Sequence, residues 1–194
     1  MAEYDDVAAR FARDTKDHEM TVRLDDGLYR HLTFAKPGTF MHWFDLVTWP
    51  GNLVIRGDMD DFAFSRHEDM FTFFRGSKGI NPSYWAEKVF DRRDATERYS
   101  EDAFRRAVAH HVAGNRVLSA LVKVEILDAP GLGDEDVARS LLEDFEYDGF
   151  RFSDVWEWNF REFTDHFLWC CHAIVHGIQQ YDAHKAALVG GGAK

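Results

Sequence analysis

A chain of 194 residues that is 45% apolar and 15% aromatic is long enough for a buried core, since domains of this size bury roughly 70% of the surface their unfolded chains expose. Its 34 acidic and 23 basic side chains, a formal net charge of -11, argue against an ordinary binder of the nucleic-acid backbone, which needs surplus Lys and Arg. The two cysteines, Cys170 and Cys171, are adjacent in an apolar helical pattern where a mutual disulfide would be strained, so they read as reduced core thiols of a reducing compartment.

The stretch Met1 to Asp6 carries acids where a secretory signal carries bases, and a cytosolic location is the expectation. Val7 to Lys16 has weak helical spacing at Val7 and Phe11 and is read as a peripheral helix or flexible arm, with the compact fold beginning near Thr21. Leu28 to Phe34 alternates like a strand, and Lys36-Pro37-Gly38 breaks it. Phe40 to Trp49 is rich in aromatic and β-branched residues. Trp49-Pro50-Gly51-Asn52 has the Pro and Gly of a type II turn into a return strand, Leu53 to Arg56. After a turn at Gly57 to Asp61, Phe62 to Phe64 completes an antiparallel meander of three or four strands.

From Ser65 on, the pattern is helical. Ser65-Arg66-His67-Glu68 has the spacing of a capping box for a helix ending at Arg75, and Asn81-Pro82 opens a second helix through Phe90. Ser100 caps a long third helix whose apolar spacing runs from Phe104 to Ile126 across Gly114. Asp134, Glu135 and Asp136 start a fourth, with Val137, Leu141 and Phe145 as its buried stripe. The strongest periodicity lies in Phe160 to about Leu188, whose most apolar part, Phe167 to Ile178, includes His172 and His176 and is too short for a membrane span. Residues 189–194 read as a flexible tail. Strands before residue 65 and helices after it define an α+β class, a meander packed against a C-terminal layer of about five helices in one domain over 21–188.

Three groups of residues could carry chemistry. Rings near turns with arginines close by, Trp43, Trp49, Trp85, Arg56, Arg66 and Arg75, could form a slot for a planar ligand bearing phosphate or carboxylate. Between Asp128 and Asp148 eight acids face Arg139 alone, a local net of -7, and Asp134, Glu135, Asp136, Glu143, Asp144 and Glu146 are the candidate surface for a basic partner. His172 and His176, four apart with Asp165 on the same broad helix face, could hold a metal ion, although no third and fourth ligand accompany them in a recognised motif. That face reads as polar and outward. No nucleophile motif accompanies the histidines, the Asp58, Asp60 and Asp61 turn lacks the distal Glu of a calcium loop, and Gly76-Ser77-Lys78-Gly79 lacks the order and setting of a phosphate loop. No cofactor is implied.

The segments FDLVTWPGNLVIRGDMDDFAFSRHEDMFTFFR (Phe44 to Arg75), NPSYWAEK (Asn81 to Lys88) and VWEWNFREFTDHFLWCCHAIVHGIQQYDAHK (Val155 to Lys185) resemble an uncharacterised family of small proteins encoded by bacteriophages and prophages. The resemblance implies a protein made in the bacterial cytosol. Together with the small size, the acidity and the lack of an assembled catalytic motif, it points to an accessory, non-enzymatic binder that counters host immunity by blocking a host protein or sequestering a nucleotide signal; the charge balance and the short apolar run argue against direct nucleic-acid or membrane binding. The alternative is a small metal-dependent hydrolase or nuclease acting on nucleotides.

Overall fold

The computed structural model describes residues 5–76 and 79–191, so the Ser77-Lys78 pair of the phosphate-loop-like run and residues 192–194 of the expected tail lie outside it. In chain order the elements are α1 (Asp5–Thr15), β1 (Glu19–Asp26), β2 (Tyr29–Ala35), β3 (Phe44–Trp49), β4 (Asn52–Gly57), β5 (Phe62–Ser65), α2 (Met70–Arg75), α3 (Pro82–Ala86), β6 (Val89–Asp91), β7 (Glu97–Tyr99), α4 (Glu101–Val112), α5 (Arg116–Val122), α6 (Glu135–Asp144), β8 (Glu146–Tyr147), β9 (Phe150–Arg151), β10 (Arg161–Phe163) and α7 (Asp165–Gly191). The class is α+β as the sequence predicts. They gather into two compact units, residues up to Thr96 with those from Phe163 on, and residues 97–162.

The first unit is an antiparallel sheet in the order β1-β2-β3-β4-β5-β6 with helices on one face. Its register sets Leu32 beside Leu46, Leu46 beside Ile55 and Ile55 beside Phe62, so one apolar row crosses four strands. All four are fully buried, and each such side chain contributes about 1.5–3 kcal/mol. Residues of alternate parity, His31, Thr33, Asp45, Val47, Val54 and Arg56, point the other way. Two strands escape the sequence pattern: β1, which is mostly exposed along the sheet edge, and β6, whose Val89 sits opposite Phe64 where a helix through Phe90 is expected.

Helix α1 is a core element, because Val7 and Phe11 are buried in the same cluster as the inner sheet face. Asn81 caps α3 through the Tyr84 amide as predicted. The predicted cap of α2 is different. Ser65 continues β5 and donates its hydroxyl to the Gly51 carbonyl at 2.9 Å, while the Glu68 carbonyl accepts from the Gly51 amide at 2.9 Å. Both ends of the expected capping box are therefore tied to the β3–β4 turn, and Asp69 caps the helix by accepting from the Phe71 amide at 3.0 Å.

Helix α7 crosses the inner face of the sheet. A Cβ at Gly177 would lie 2.5 Å from Leu46 Cδ1 and 3.1 Å from the Phe34 ring, so the helix backbone itself touches the strands. Cys170 and Cys171 are buried beside this seam with free thiols, and burial pushes both thiols up from their ordinary range. The helix starts five residues later than the periodicity predicts, Phe160 being buried in the other unit, and it runs through Val189 and Gly190 of the expected tail.

In the second unit the expected long helix is two. Asn115 accepts from the Val117 and Leu118 amides and restarts the chain as α5, which ends in a π-helical turn, Lys123–Leu127. Ser100 caps α4 as expected. Of the expected stripe Phe145 is buried and Leu141 is half-buried against the same cluster, while Val137 is 41% exposed and Ala138 and Leu142 are buried instead. Gly177→Val should lower stability by about 1–3 kcal/mol through overpacking, measured by urea denaturation; an unchanged midpoint would show that α7 can lift off the sheet at little cost.

Candidate binding surfaces

The outward face of the sheet carries a polar cluster centred on Asp45, which is only 7% exposed. Thr33 donates its hydroxyl to Asp45 Oδ1 at 2.8 Å. His31 Nε2 lies 3.2 Å from Oδ2, close enough for an ion pair but outside hydrogen-bond geometry. Arg56 Nε stands 4.0 Å away, and Arg23 Nε reaches Thr33 Oγ1 at 3.4 Å. The row Thr33, Asp45, Arg56 follows from cross-strand register, so the cluster is held by the sheet itself. Beside it the Arg56 guanidinium lies 5.4 Å from the Trp43 ring centre, a cation–π distance.

Trp43 is fixed by its backbone. Its carbonyl accepts from the Asp58 amide at 3.0 Å, and Asp58 Oδ2 accepts from the His42 amide at 2.8 Å. A Cβ at Gly57 would collide with the Trp43 carbonyl oxygen, so a glycine there permits the approach. The turn acids have local work: Asp61 accepts from the Gly57 amide and Asp60 pairs with Arg92 at 2.5 Å.

The other rings and arginines of the expected slot go elsewhere. Trp85 is wholly buried, packed edge-on against Phe74 at 4.8 Å. Trp49 is exposed at the β3–β4 turn, and Arg66 is exposed just beyond β5. Arg75 faces α7, where it grips Asp182 at 2.6 and 2.8 Å. Nearby, buried Arg30 holds Asp69 at 2.9 and 3.4 Å and lies over Phe71 at 4.6 Å. Burial alone would raise the Asp69 carboxyl, but the Arg30 hydrogen bond and charge outweigh it and hold it below its ordinary value. Tyr181 and Lys185 both donate to Asp25, at 2.8 and 2.9 Å. Arg30, Arg75 and Lys185 thus balance Asp25, Asp69 and Asp182 in a bracket joining β1, β2, α2 and α7.

The candidate metal ligands sit on the seam between α1 and α7, and the face read as outward is covered by α1. His172 stacks on Phe11 with centroids 6.0 Å apart, His176 meets the same ring edge-on at 5.5 Å, and Asp165 accepts from Arg10 at 3.0 Å. Phe11 stands against both imidazoles, and among the described residues no group of three or more His, Cys, Asp or Glu is placed to hold a metal ion. Burial lowers the pKa of His172 and of His176, and burial is also the main cause of the lowered value of His18.

In the second unit, which carries 15 acids against eight Lys and Arg, the acidic residues divide by role. Asp134 caps α6 by accepting from the Asp136 and Val137 amides. Glu135 is engaged by Arg139 at 2.9 Å and Arg161 at 3.4 Å, and Glu146 pairs with Arg151. Asp136, Glu143 and Asp144 are exposed and pair with no cation among the described residues.

Arg139 also reaches past α6. It donates to the Val155 carbonyl at 2.7 Å and the Trp158 carbonyl at 3.0 Å. Those bonds fix a short 3₁₀ turn, Val155–Glu157, in which Val155 is buried and Trp156 is 74% exposed. Trp158 turns inward against His111 at 4.7 Å and Phe152 at 5.8 Å. From sequence Trp156 is one aromatic residue among several; an apolar in–out–in pattern around a turn is the signal that separates it.

Comparison of the chain with protein-family models, with curated proteins and with solved structures finds no match. Among the described residues no helix is long and apolar enough to cross a membrane.

The three histidines on or beside the α1–α7 seam give a pH dependence of known sign. Their ordinary value is 6.5 and their folded values lie below it, so the unfolded chain binds more protons in that window. Their contribution to stability is complete above about pH 6.5 and is lost as pH falls below it toward the folded values. Denaturation midpoints should therefore drop from about pH 7.5 to about pH 5.5, and His172→Phe should flatten part of the drop; a pH-independent midpoint would contradict the burial of these rings.

Proposed function

We propose that this protein is a phage-encoded accessory protein that acts by binding a protein of its bacterial host, and that the second unit presents the binding surface. The observation that carries this reading is Trp156, a large ring 74% exposed yet held on a turn fastened to α6 by two Arg139 hydrogen bonds. Exposed, pre-positioned Trp side chains are frequent energetic anchors of protein interfaces, because little conformational entropy is lost when they dock. Val137 adds apolar surface on α6.

The free carboxylates of Asp136, Glu143 and Asp144 give the surface a negative field, which favours a partner with a basic groove and speeds encounter with it. The resemblance of the Phe44 to Arg75 and Val155 to Lys185 segments to phage and prophage proteins supports a target in the host cytosol. A component of antiviral defence is the target class we propose. Catalysis has no part in this reading.

Immobilised wild-type protein should retain at least one host protein from a bacterial lysate, less strongly at high salt. Trp156→Ala should reduce that capture by about 10-fold or more. Reversal of Asp136, Glu143 and Asp144 to Lys should chiefly slow association. Equal capture by all three proteins would overturn the proposal.

A further inference from the structure

We propose a second binding site, for a nucleotide, on the sheet face turned away from the helices of the first unit. The base lies against Trp43 and the phosphates meet Arg56, His31 and Arg23. This site is independent of the Trp156 surface and stands on different residues.

The starting observation is an arginine set between a ring and a carboxylate with its donors unspent. Arg56 lies over Trp43 at 5.4 Å and 4.0 Å from Asp45, yet it makes no hydrogen bond to any described residue and its side chain is 57% exposed. A guanidinium has five N–H donors in a planar fork suited to phosphate oxygens. Asp45 positions it without consuming those donors, because Thr33 satisfies one carboxylate oxygen at 2.8 Å and His31 stands 3.2 Å from the other.

His31, 39% exposed at its side chain, is thereby held on the same patch. Arg23 engages only its Nε, at 3.4 Å. It lies on β1 and Arg56 on β4, roughly 14 Å apart across three strand spacings. That span suits two phosphates or a dinucleotide better than one small anion.

Charge and ring placement narrow the ligand class. Arg23 and Arg56 outnumber Asp45 at the cluster itself, in a chain whose net charge is -11. Glu19 and Asp26 share this face along β1, opposite Ala35 and Tyr29, so the attraction for anions is local to the arginines themselves. Trp43 supplies a plane for a base, and Arg–aromatic–base stacks are a common way to hold nucleotides. Tyr29 and Trp49, both exposed, fall on the same sheet face by strand alternation. The hydrogen bond from the Asp58 amide to the Trp43 carbonyl fixes the main chain that carries the ring.

The test is calorimetric titration of the full chain with AMP, ATP, a cyclic dinucleotide, inorganic phosphate and an oligothymidylate. ATP or the cyclic dinucleotide should bind saturably and more tightly than AMP or phosphate. Trp43→Ala and Arg56→Ala should each weaken binding by about 10-fold or more, with Arg56→Lys intermediate. Arg116→Ala and Trp156→Ala, both in the second unit, should bind as wild type, which separates this proposal from the protein-binding one. Absence of saturable nucleotide binding would overturn it. So would phosphate binding as tightly as ATP with no effect of Trp43→Ala, or an oligothymidylate binding more tightly than every nucleotide.

Discussion

Helix α7 lies directly on the strands because Gly177 presents no side chain where Leu46 and Phe34 press against it, and the first unit is organised around that contact. With the backbone so close, the residues on either side of Gly177 must be buried, and Ala173, Ile174, Ile178 and Tyr181 are. The same closeness leaves the far side of α7 to be covered by something else. Phe11 of α1 does so, filling the space between Trp169, His172 and His176. Residues that look like metal ligands at helical spacing are then the polar lining of a packed seam.

One face of the sheet is closed by this arrangement, and the closure explains why the other face can hold polar groups. A carboxylate as buried as Asp45 would be costly among the apolar residues of the inner face. On the outward face it gathers Thr33, His31 and Arg56 from neighbouring strands, each placed by register. The outward cluster and the inner Arg30 bracket use similar side chains to different ends. Arg30 is spent on Asp69 with two hydrogen bonds, whereas Arg56 is positioned and left with its donors free.

The acidic balance of the chain resolves in a similar way. Eight acids close together in sequence suggest one negative surface, but three are absorbed by local structure. Asp134 satisfies the start of α6, Glu135 is held between Arg139 and Arg161, and Glu146 pairs within its hairpin. Of the carboxylates that remain free, Asp136 adjoins the exposed Val137, and all share the unit with an exposed Trp156. Composition alone does not distinguish a carboxylate that caps a helix from one that faces solvent.

Local chemistry determined much of what the sequence could declare by itself: the α+β class, the type II turn with Gly51 at φ 83°, the Asn81 and Ser100 caps, and the apolar spacing of α7. These depend on a residue and its near neighbours in the chain. Tertiary structure decided the rest, because the decisive partner was far away in sequence. Ser65 was taken from a capping role by the β3–β4 turn, and β6 was drawn into the sheet by Phe64 against the helical pattern around it. The second unit's core took Ala138 and Leu142 of α6 along with the expected Phe145 and left Val137 exposed. Trp85 and Trp43 read alike in the sequence; packing against Phe74 made one a core residue, and the approach permitted by Gly57 left the other beside Arg56 on an open face.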